Sequence, residues 1–378
     1  MKRRQYLTLE RWIGICKGVE DPRREGGNKR HELVDILVIA LLAVVCGCTT
    51  WEEIYDYGRS KYEWLKTFLT LENGIPSEPT LRRVFSRIRT TSLETAYREW
   101  VKPYVGSCHG KQICIDGKTV CGAVKRSGVN LHILSAWVRE DRITIGQRQT
   151  DAKSNEITAI PQLLKSLDIS GGIASIDAMG CQSEIAAQII SQNAHYLLAV
   201  KGNQPTLQEE IQEYFTWALE DPIERKQLDM HTDTSFDHGK TVRWRVVSTQ
   251  DVLWFESKEK WPGLRSFVMV QRTTKSGENV STQTALYISS LEASAQTFHR
   301  LARGHWSVEN QLHWSLDVSF SEDACLIGKD HAPANLSLLR KMALLLLRLD
   351  SSPHSAPRKM RLAAYDNDFA FNLLHSLK

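Results

Sequence analysis

The sequence predicts an α/β protein whose core follows a helical N-terminal part and is interrupted by a β-rich insertion. Three observations carry this reading. Apolar residues recur at three- and four-residue steps after His31, as on one face of a helix. From Lys111 to Val200, short apolar strands alternate with helical stretches, the pattern of an α/β core. Residues 240–290 then read as a run of strands. At 378 residues the chain is too long for one simple core and predicts two or three compact units. The segments are 1–110 (helical), 111–204 (first part of the core), 205–293 (insertion) and 294–378 (helical completion of the core and tail).

Residues 1–30 are polar and basic, closing on Asp21-Pro22-Arg23-Arg24 and Gly26-Gly27, and predict a short helix followed by a loop. Leu33, Ile36, Leu37, Ala40, Leu41 and Val44 mark the next helix, which Gly47 ends. Thr50 is placed to cap another, with Glu52 and Glu53 in its first turn, continuing through Tyr55 towards Phe68. Ile75-Pro76-Ser77-Glu78-Pro79-Thr80 breaks the pattern, and Thr80 is read as the cap of a helix from Leu81 to Ile88. That helix carries Arg82, Arg83 and Arg87, with Arg89 just beyond. Such a helix can set its N-terminal turn against DNA phosphates or in a groove; a solvated basic face has the same sequence signature.

The texture changes at Lys111. Gln112 to Ile115 is a short strand ending at Asp116-Gly117-Lys118. Leu131 to Val138 and Ile143 to Gly146 follow, three strands in series as in an antiparallel meander. Ser154-Asn155-Glu156 opens a helix to about Leu167, and Ile173 to Ile176 is a strand ending at Asp177. A helix from Gln182 to Gln192 leads to a strand, Tyr196 to Val200, ending at Lys201-Gly202-Asn203. Residues 205–220 are helical in pattern, and Val242 to Val247, Leu264 to Gln271 and Thr284 to Ile288 are strands of the insertion. A helix from about Ser294 runs into His305-Trp306-Ser307-Val308-Glu309, and an apolar helix spans Leu336 to Leu347, followed by a basic patch at Arg358, Lys359 and Arg361.

Composition narrows the function classes. The apolar and charged fractions, 42% and 24%, are those of an ordinary globular protein. The net charge of +4 excludes a polycationic coat for nucleic acid, but the excess is all in residues 1–110, with 18 basic against 14 acidic residues and 30 of each elsewhere. This asymmetry points to a nucleic-acid-facing N-terminal region as readily as to chance. None of the eight cysteines forms a C-x-x-C pair, which argues against zinc ribbons and a disulfide framework and for buried thiols in a reducing cytosol. The longest apolar run, Ile36 to Cys48, is short of the ~20 residues that span a bilayer. No targeting segment is visible, so the expected location is the cytoplasm, away from membranes.

Asp116 and Asp177 share one grammar: each follows an apolar strand and precedes a small residue. Strand ends are where α/β folds build sites, and two carboxylates on neighbouring strands suit a hard cation such as Mg²⁺. A third acid is harder to choose. Glu309 lies in a helical segment with His305 and His313 at four-residue steps either side, and Asn310, Asp317, Glu322 and Asp323 follow. An amphipathic helix with its tryptophans in the core would show the same pattern. There is no G-x-x-x-x-G-K-[ST] loop, G-x-S-x-G elbow or H-E-x-x-H, which leaves metal-dependent phosphoryl transfer as the best chemical fit.

Several blocks together resemble the H-repeat-associated transposases, insertion-sequence proteins of the DDE type. They are Asp116-Gly117-Lys118-Thr119; Ser154-Asn155-Glu156-Ile157 with Ala159-Ile160-Pro161; Asp177-Ala178-Met179-Gly180-Cys181-Gln182; Leu198-Ala199-Val200-Lys201-Gly202-Asn203-Gln204; and His305-Trp306-Ser307-Val308-Glu309-Asn310 with Leu312-His313-Trp314. The likeness runs from about His31 to the C-terminus. It implies a ribonuclease H-like catalytic core, with Asp116, Asp177 and Glu309 as catalytic acids and ligands of Mg²⁺, for which Mn²⁺ can substitute. It also implies accessory roles for Lys118, Lys201, Asn203, His305, Asn310 and His313, and DNA contact through Arg82, Arg83 and Arg87. The step of 132 residues from Asp177 to Glu309 matches the β-rich insertion of related transposases. Where relatives carry Y-x-x-R-x-x-x-E-x-x-x-x-x-x-K, this chain has Ala302, His305 and Leu316 at the Tyr, Arg and Lys positions, and Cys121 stands where a basic residue is expected.

The implied activity is cleavage of element ends and transfer of the strand into target DNA, by a homodimer or higher oligomer. A catalytically silent or domesticated DNA-binding relative, and a ribonuclease H-like nuclease that does not transpose, are the competing readings. The basic N-terminal helices and the long insertion favour the transposase, since a bare nuclease needs neither.

Overall fold

A computed structural model describes residues 9–24, 26, 29–122, 131–150, 156–237 and 239–374. The N-terminal part is helical: α1 (Leu9–Cys16), α2 (Leu33–Val45), α3 (Trp51–Ser60), α4 (Tyr62–Leu65), α5 (Glu78–Arg87) and α6 (Thr90–Val105). Gly47 ends α2 region with a positive φ of 96°, a conformation glycine adopts without strain. Thr50 does cap α3, in a capping box with Glu53. The long helix expected towards Phe68 is broken at Lys61, so α4 is a separate turn. Helix α5 starts three residues earlier than expected, with Ser77 at its N-cap and Pro79 in the first turn, because proline's fixed φ suits that position. Helix α6 was not foreseen; Pro103 lies inside it.

Among the described residues, nine strands form one sheet: β1 (Gln112–Thr119), β2 (His132–Val138), β3 (Ile143–Thr150), β4 (Ile173–Ile176), β5 (His195–Val200), β6 (Asp229–Asp237), β7 (Lys240–Thr249), β8 (Ser266–Ser276) and β9 (Asn279–Ser289). Their order is β3-β2-β1-β4-β5-β9-β8-β7-β6. The first five are the antiparallel meander β1–β2–β3 with β4 and β5 added parallel to β1. This is the ribonuclease H-like core. The insertion β6–β9 extends it through an antiparallel pairing of β9 with β5. Strand β6 has no apolar run and was missed in the sequence. Helices α7 (Glu156–Lys165), α8 (Ser183–Ser191) and α9 (Pro205–Glu220) connect the strands. Ser154 and Asn155, expected to open α7, lie outside the described residues.

After the sheet come α10 (Ala295–Val308), a π-helical turn (Glu309–His313), α11 (Trp314–Phe320), α12 (Ala332–Leu349), α13 (Ala356–Tyr365) and α14 (Asn367–Leu374). Side chains on strands alternate between faces, and the two faces bury different layers. Leu197, Val246, Val268 and Val270 pack with Phe298, Leu301 and Ala302 of α10. Tyr196, Leu198, Val247, Phe267 and Met269 belong to the larger core with α7, α8 and α9. That core also takes in α2, buried along nearly its whole length, which packs on α12. Residues 1–110 and 294–378, far apart in sequence, are therefore packed together. Of the expected basic patch near the C-terminus, Arg358 and Arg361 are exposed, but Lys359 is buried, bound to the carbonyls of Leu347 and Asp350 and paired with the Asp350 carboxylate at 3.0 Å.

Candidate functional site

Strands β1 and β4 run parallel with Ile115 opposite Ile176, so Asp116 and Asp177 follow at the same level on neighbouring strands. The two are not equivalent. Strand β4 stops before Asp177, whereas β1 continues through Asp116 to Thr119, paired there only with β2. Asp116 is thus inside a strand, not at its end as the sequence suggested, but on its β4 side the ladder has already ended. Asp177 heads a short 3₁₀ turn, in which the Gly180 N–H donates to the Asp177 backbone carbonyl at 3.1 Å.

Glu309 is delivered by a helix that rides along β1. Alternate β1 side chains meet it in register. The Gln112 amide donates to the Leu301 carbonyl at 2.8 Å, and the Cys114 thiol donates to the Gly304 carbonyl at 3.5 Å. Asp116 Oδ2 lies 3.6 Å from His313 Nδ1, and Lys118 pairs with Asp317. Gly304 makes this approach possible: a Cβ there would lie 2.1 Å from the Gln112 Oε1. The insertion anchors the same helix. Asp229 of β6 accepts from the Ala295 N–H at 2.7 Å, Arg303 pairs with Asp233 at 3.0 Å, and Arg272 of β8 stacks over both Trp244 and Trp306.

At Glu309 the helix widens into a π turn, a feature often found at functional sites. It breaks the stripe the sequence predicted. Glu309 and Asn310 are exposed, whereas His305 is withdrawn beneath them, hydrogen-bonded through Nδ1 to Ser175 Oγ of β4 at 3.0 Å. Burial pushes the His305 and His313 imidazoles down to about 4, so both are neutral near pH 7. A protonated His305 taking the place of the relatives' arginine does not fit this environment.

The electrostatics are those of uncompensated acids. Burial, then the charges of Asp177 and Glu309, push Asp116 up to about 7. Burial and the Glu156 carboxylate raise Asp177 as well, against the pull of Lys201. Asn203 donates to the Ala178 carbonyl at 2.6 Å and so holds the turn behind Asp177. Lys118 is drawn away from the acids by Asp317, by Glu322 at 3.1 Å and by Asp323 at 3.3 Å. Glu322, a possible replacement for Glu309, is buried and bound to Lys118 and Arg340, so it has no opening to substrate.

A divalent cation suits this set. Asp116 has no basic partner at hydrogen-bonding distance among the described residues, and the buried Nε2 of His313 beside it has no hydrogen-bond partner. No three His, Cys, Asp or Glu side chains among the described residues are gathered into a ready-made cage. Mg²⁺ does not need one, since it keeps several waters and takes one or two carboxylates plus substrate phosphates.

Two grooves flank α5, and the arginines expected to act together divide between them. Arg83 and Arg87, four residues apart, open onto a groove of about 1100 Å³ that also holds Arg24, Lys29 and Arg30. Arg82 is paired with Glu78 and faces a groove of about 670 Å³ beside Lys329. All eight cysteines are free. No helix among the described residues is long and apolar enough to cross a membrane.

A ribonuclease H-like sheet with two aspartates level on adjacent strands, and a glutamate carried past them on a helix, defines a class of enzymes that act on nucleic-acid phosphodiesters. Comparison with known proteins narrows the class. Residues 108–346 match a family described as "Transposase DDE domain", and residues 15–101 match its associated N-terminal family, "DDE_Tnp_1-associated". The chain is 39% identical over 351 residues to "Putative transposase YncI" of Escherichia coli O157:H7, covering 90% of this chain and 88% of that one. It is 35% identical over 361 residues to "H repeat-associated putative transposase YhhI" of Escherichia coli K12, covering 93% and 94%. A further K12 relative, "H repeat-associated putative transposase YbfD", is 42% identical over 195 residues, 51% of this chain and 77% of that one. The chain belongs to the DDE transposases, in their H-repeat-associated group. Members of that family act on DNA and use divalent metal ions.

Proposed function

We propose that the protein cuts DNA at the ends of an insertion-sequence-like element and joins the freed strand to target DNA, with Asp116, Asp177 and Glu309 holding Mg²⁺ or Mn²⁺. The observation that carries this reading is the register of β1 and β4, which sets two unneutralised aspartates side by side beneath an exposed glutamate. When bound, a divalent cation polarises the scissile phosphate and eases deprotonation of the attacking oxygen. The chain's own residues do the rest. The Gly180 N–H and the Asn203 side chain hold the turn that carries Asp177, and His313 closes one side of Asp116 as a neutral ring. Water attacks the phosphorus at the element end, the bond to the 3′ oxygen breaks, and a 3′-hydroxyl is left. That hydroxyl then attacks a phosphodiester of the target, displacing its 3′ oxygen.

DNA phosphates lie along the groove beside α5, where Arg24, Lys29, Arg30, Arg83 and Arg87 supply the charge. Lys201, exposed near Asp177, approaches the phosphate backbone at the acids, and Asn310 is exposed beside Glu309 to do the same. The protein works as a dimer or higher oligomer, since two element ends must be joined. The test is nicking of duplex DNA bearing the inverted repeats that flank the gene, by the full chain with Mg²⁺. Asp177→Asn and Glu309→Gln are each expected to lower cleavage by about 10³-fold, some 4 kcal/mol, while repeat binding persists. Cleavage at the wild-type rate by either variant would refute the assignment.

A further inference from the structure

The His132–Glu156 pair is not used in the reaction outlined above, yet it touches the residue beside Asp116. The Glu156 carboxylate, at the start of α7, is hydrogen-bonded to His132 Nε2, and His132 Nδ1 is 3.0 Å from the Thr119 hydroxyl. His132 and Thr119 are register partners on β2 and β1, so the imidazole is fixed at both nitrogens. With the Thr119 hydroxyl donating to Nδ1, Nε2 carries the hydrogen that is donated to the Glu156 carboxylate.

What the pair is pressed against is the backbone of Gly117. A Cβ at Gly117 would lie 2.1 Å from His132 Nε2 and 2.3 Å from Glu156 Oε1. The glycine therefore serves close approach: it lets a carboxylate from the far side of the sheet reach the residue next to Asp116. The side chains of His132 and Glu156 are 23% and 16% exposed, so the pair is sheltered but not sealed from solvent. The charge of Glu156 reaches both aspartates and is the largest charge effect on Asp177. A protein that had only to pair β1 with β2 would not bring a further acid close enough to act on two aspartates, since like charges nearby are costly.

We infer that Glu156 is a fourth carboxylate of the acidic site, facing the divalent cation from the side of Gly117, and that His132 is the positioning residue that aims it. This rests on the metal-binding reading of Asp116 and Asp177. A residue that orients a ligand commonly governs metal affinity by about 10–100-fold, so the prediction is quantitative.

The experiment is calorimetric titration of Mn²⁺ into the full chain without DNA. The proteins compared are wild type, Asp116→Asn, Glu156→Gln, Glu156→Asp and His132→Ala, with thermal unfolding in chelator as the check on folding. Glu156→Gln is expected to bind Mn²⁺ at least about ten-fold more weakly, with Glu156→Asp and His132→Ala between it and wild type. The Mn²⁺ concentration needed for half-maximal cleavage should rise in the same order. Glu156→Asp keeps the charge and shortens the side chain, so it serves if the amide variant does not fold. If Asp116→Asn weakens binding while both Glu156 variants match wild type, the proposal is wrong and the reading of the aspartates stands. If wild type does not bind Mn²⁺, or Asp116→Asn binds as wild type does, that reading fails and takes this proposal with it.

Discussion

His313 Nδ1 stands 3.6 Å from Asp116 Oδ2, and the two are not an ion pair. Burial holds the imidazole down at about 4, while burial and the charges of Asp177 and Glu309 hold the carboxyl up at about 7. Both groups therefore resist charging in the metal-free protein.

The sign of the consequence follows for Asp116. Its folded pKa lies above the ordinary carboxylate value, so the stability it contributes is full below about pH 4 and is lost as pH rises through about 7. Its neighbours add to that loss: Asp177 just beyond β4, Glu309 from the π turn and Glu156 from α7 are all acids, and His313 is neutral. In chelator, Asp116→Asn should become more stable than wild type above pH 7, on the order of 2 kcal/mol, and the advantage should shrink towards pH 5. Urea denaturation across that range measures it. A difference that does not change with pH would contradict the account.

The α5 arginines should separate into two behaviours. Arg83 and Arg87 are exposed on the basic groove, whereas Arg82 is tied to Glu78 on the other side. Arg83→Ala with Arg87→Ala should lower the salt dependence of DNA binding by about two charges, and Arg82→Ala by less than one. An unchanged slope in the double variant would make α5 a structural helix only.

His305 is expected to cost stability before it costs chemistry. Its hydrogen bond to Ser175 ties the glutamate-bearing helix to β4, and burial holds its pKa at about 4. The stability it contributes is present above pH 6.5 and is lost as pH falls through about 4. His305→Ala should lose roughly 1–3 kcal/mol and flatten acid unfolding in that window, leaving the pH profile of cleavage between 6 and 8 unmoved. A shifted profile with unchanged stability would return His305 to the chemistry.

Glu322 should behave as a buried charge whose partners cannot do without it. Burial alone would raise its pKa, but Arg340 and then Lys118 outweigh that and hold it at about 2. Glu322→Ala leaves both cations without their buried partner and should destabilise by about 3–5 kcal/mol, measured by denaturation. A loss below about 1 kcal/mol would mean that water reaches the cluster.

Much of the frame was legible because local chemistry writes it. Apolar runs marked β2, β4, β5 and the middle of β7, three- and four-residue spacing marked α2, and Thr50 and Ser294 announced helix starts that the folded chain keeps. Strand β6 and helix α6 were not legible. Strand β6 has no apolar run, being held by its ladder to β7, and α6 carries an internal proline offset by packing on β3 and α12.

By itself, then, the sequence determined which acids follow an apolar stretch and precede a small residue, and which blocks resemble the family, since each is a property of neighbouring residues. Tertiary structure alone decided the rest. Lys118 was set among Asp317, Glu322 and Asp323 because alternation along β1 turns it towards α11. Glu309 and His313 were parted, one exposed and one turned in against Asp116, because the π turn between them changes the number of residues per turn where a regular helix would have stacked them. Glu156 reached the acids because Gly117 has no side chain to stop it. Each depends on which surfaces meet after distant segments pack, and no spacing along the chain encodes that.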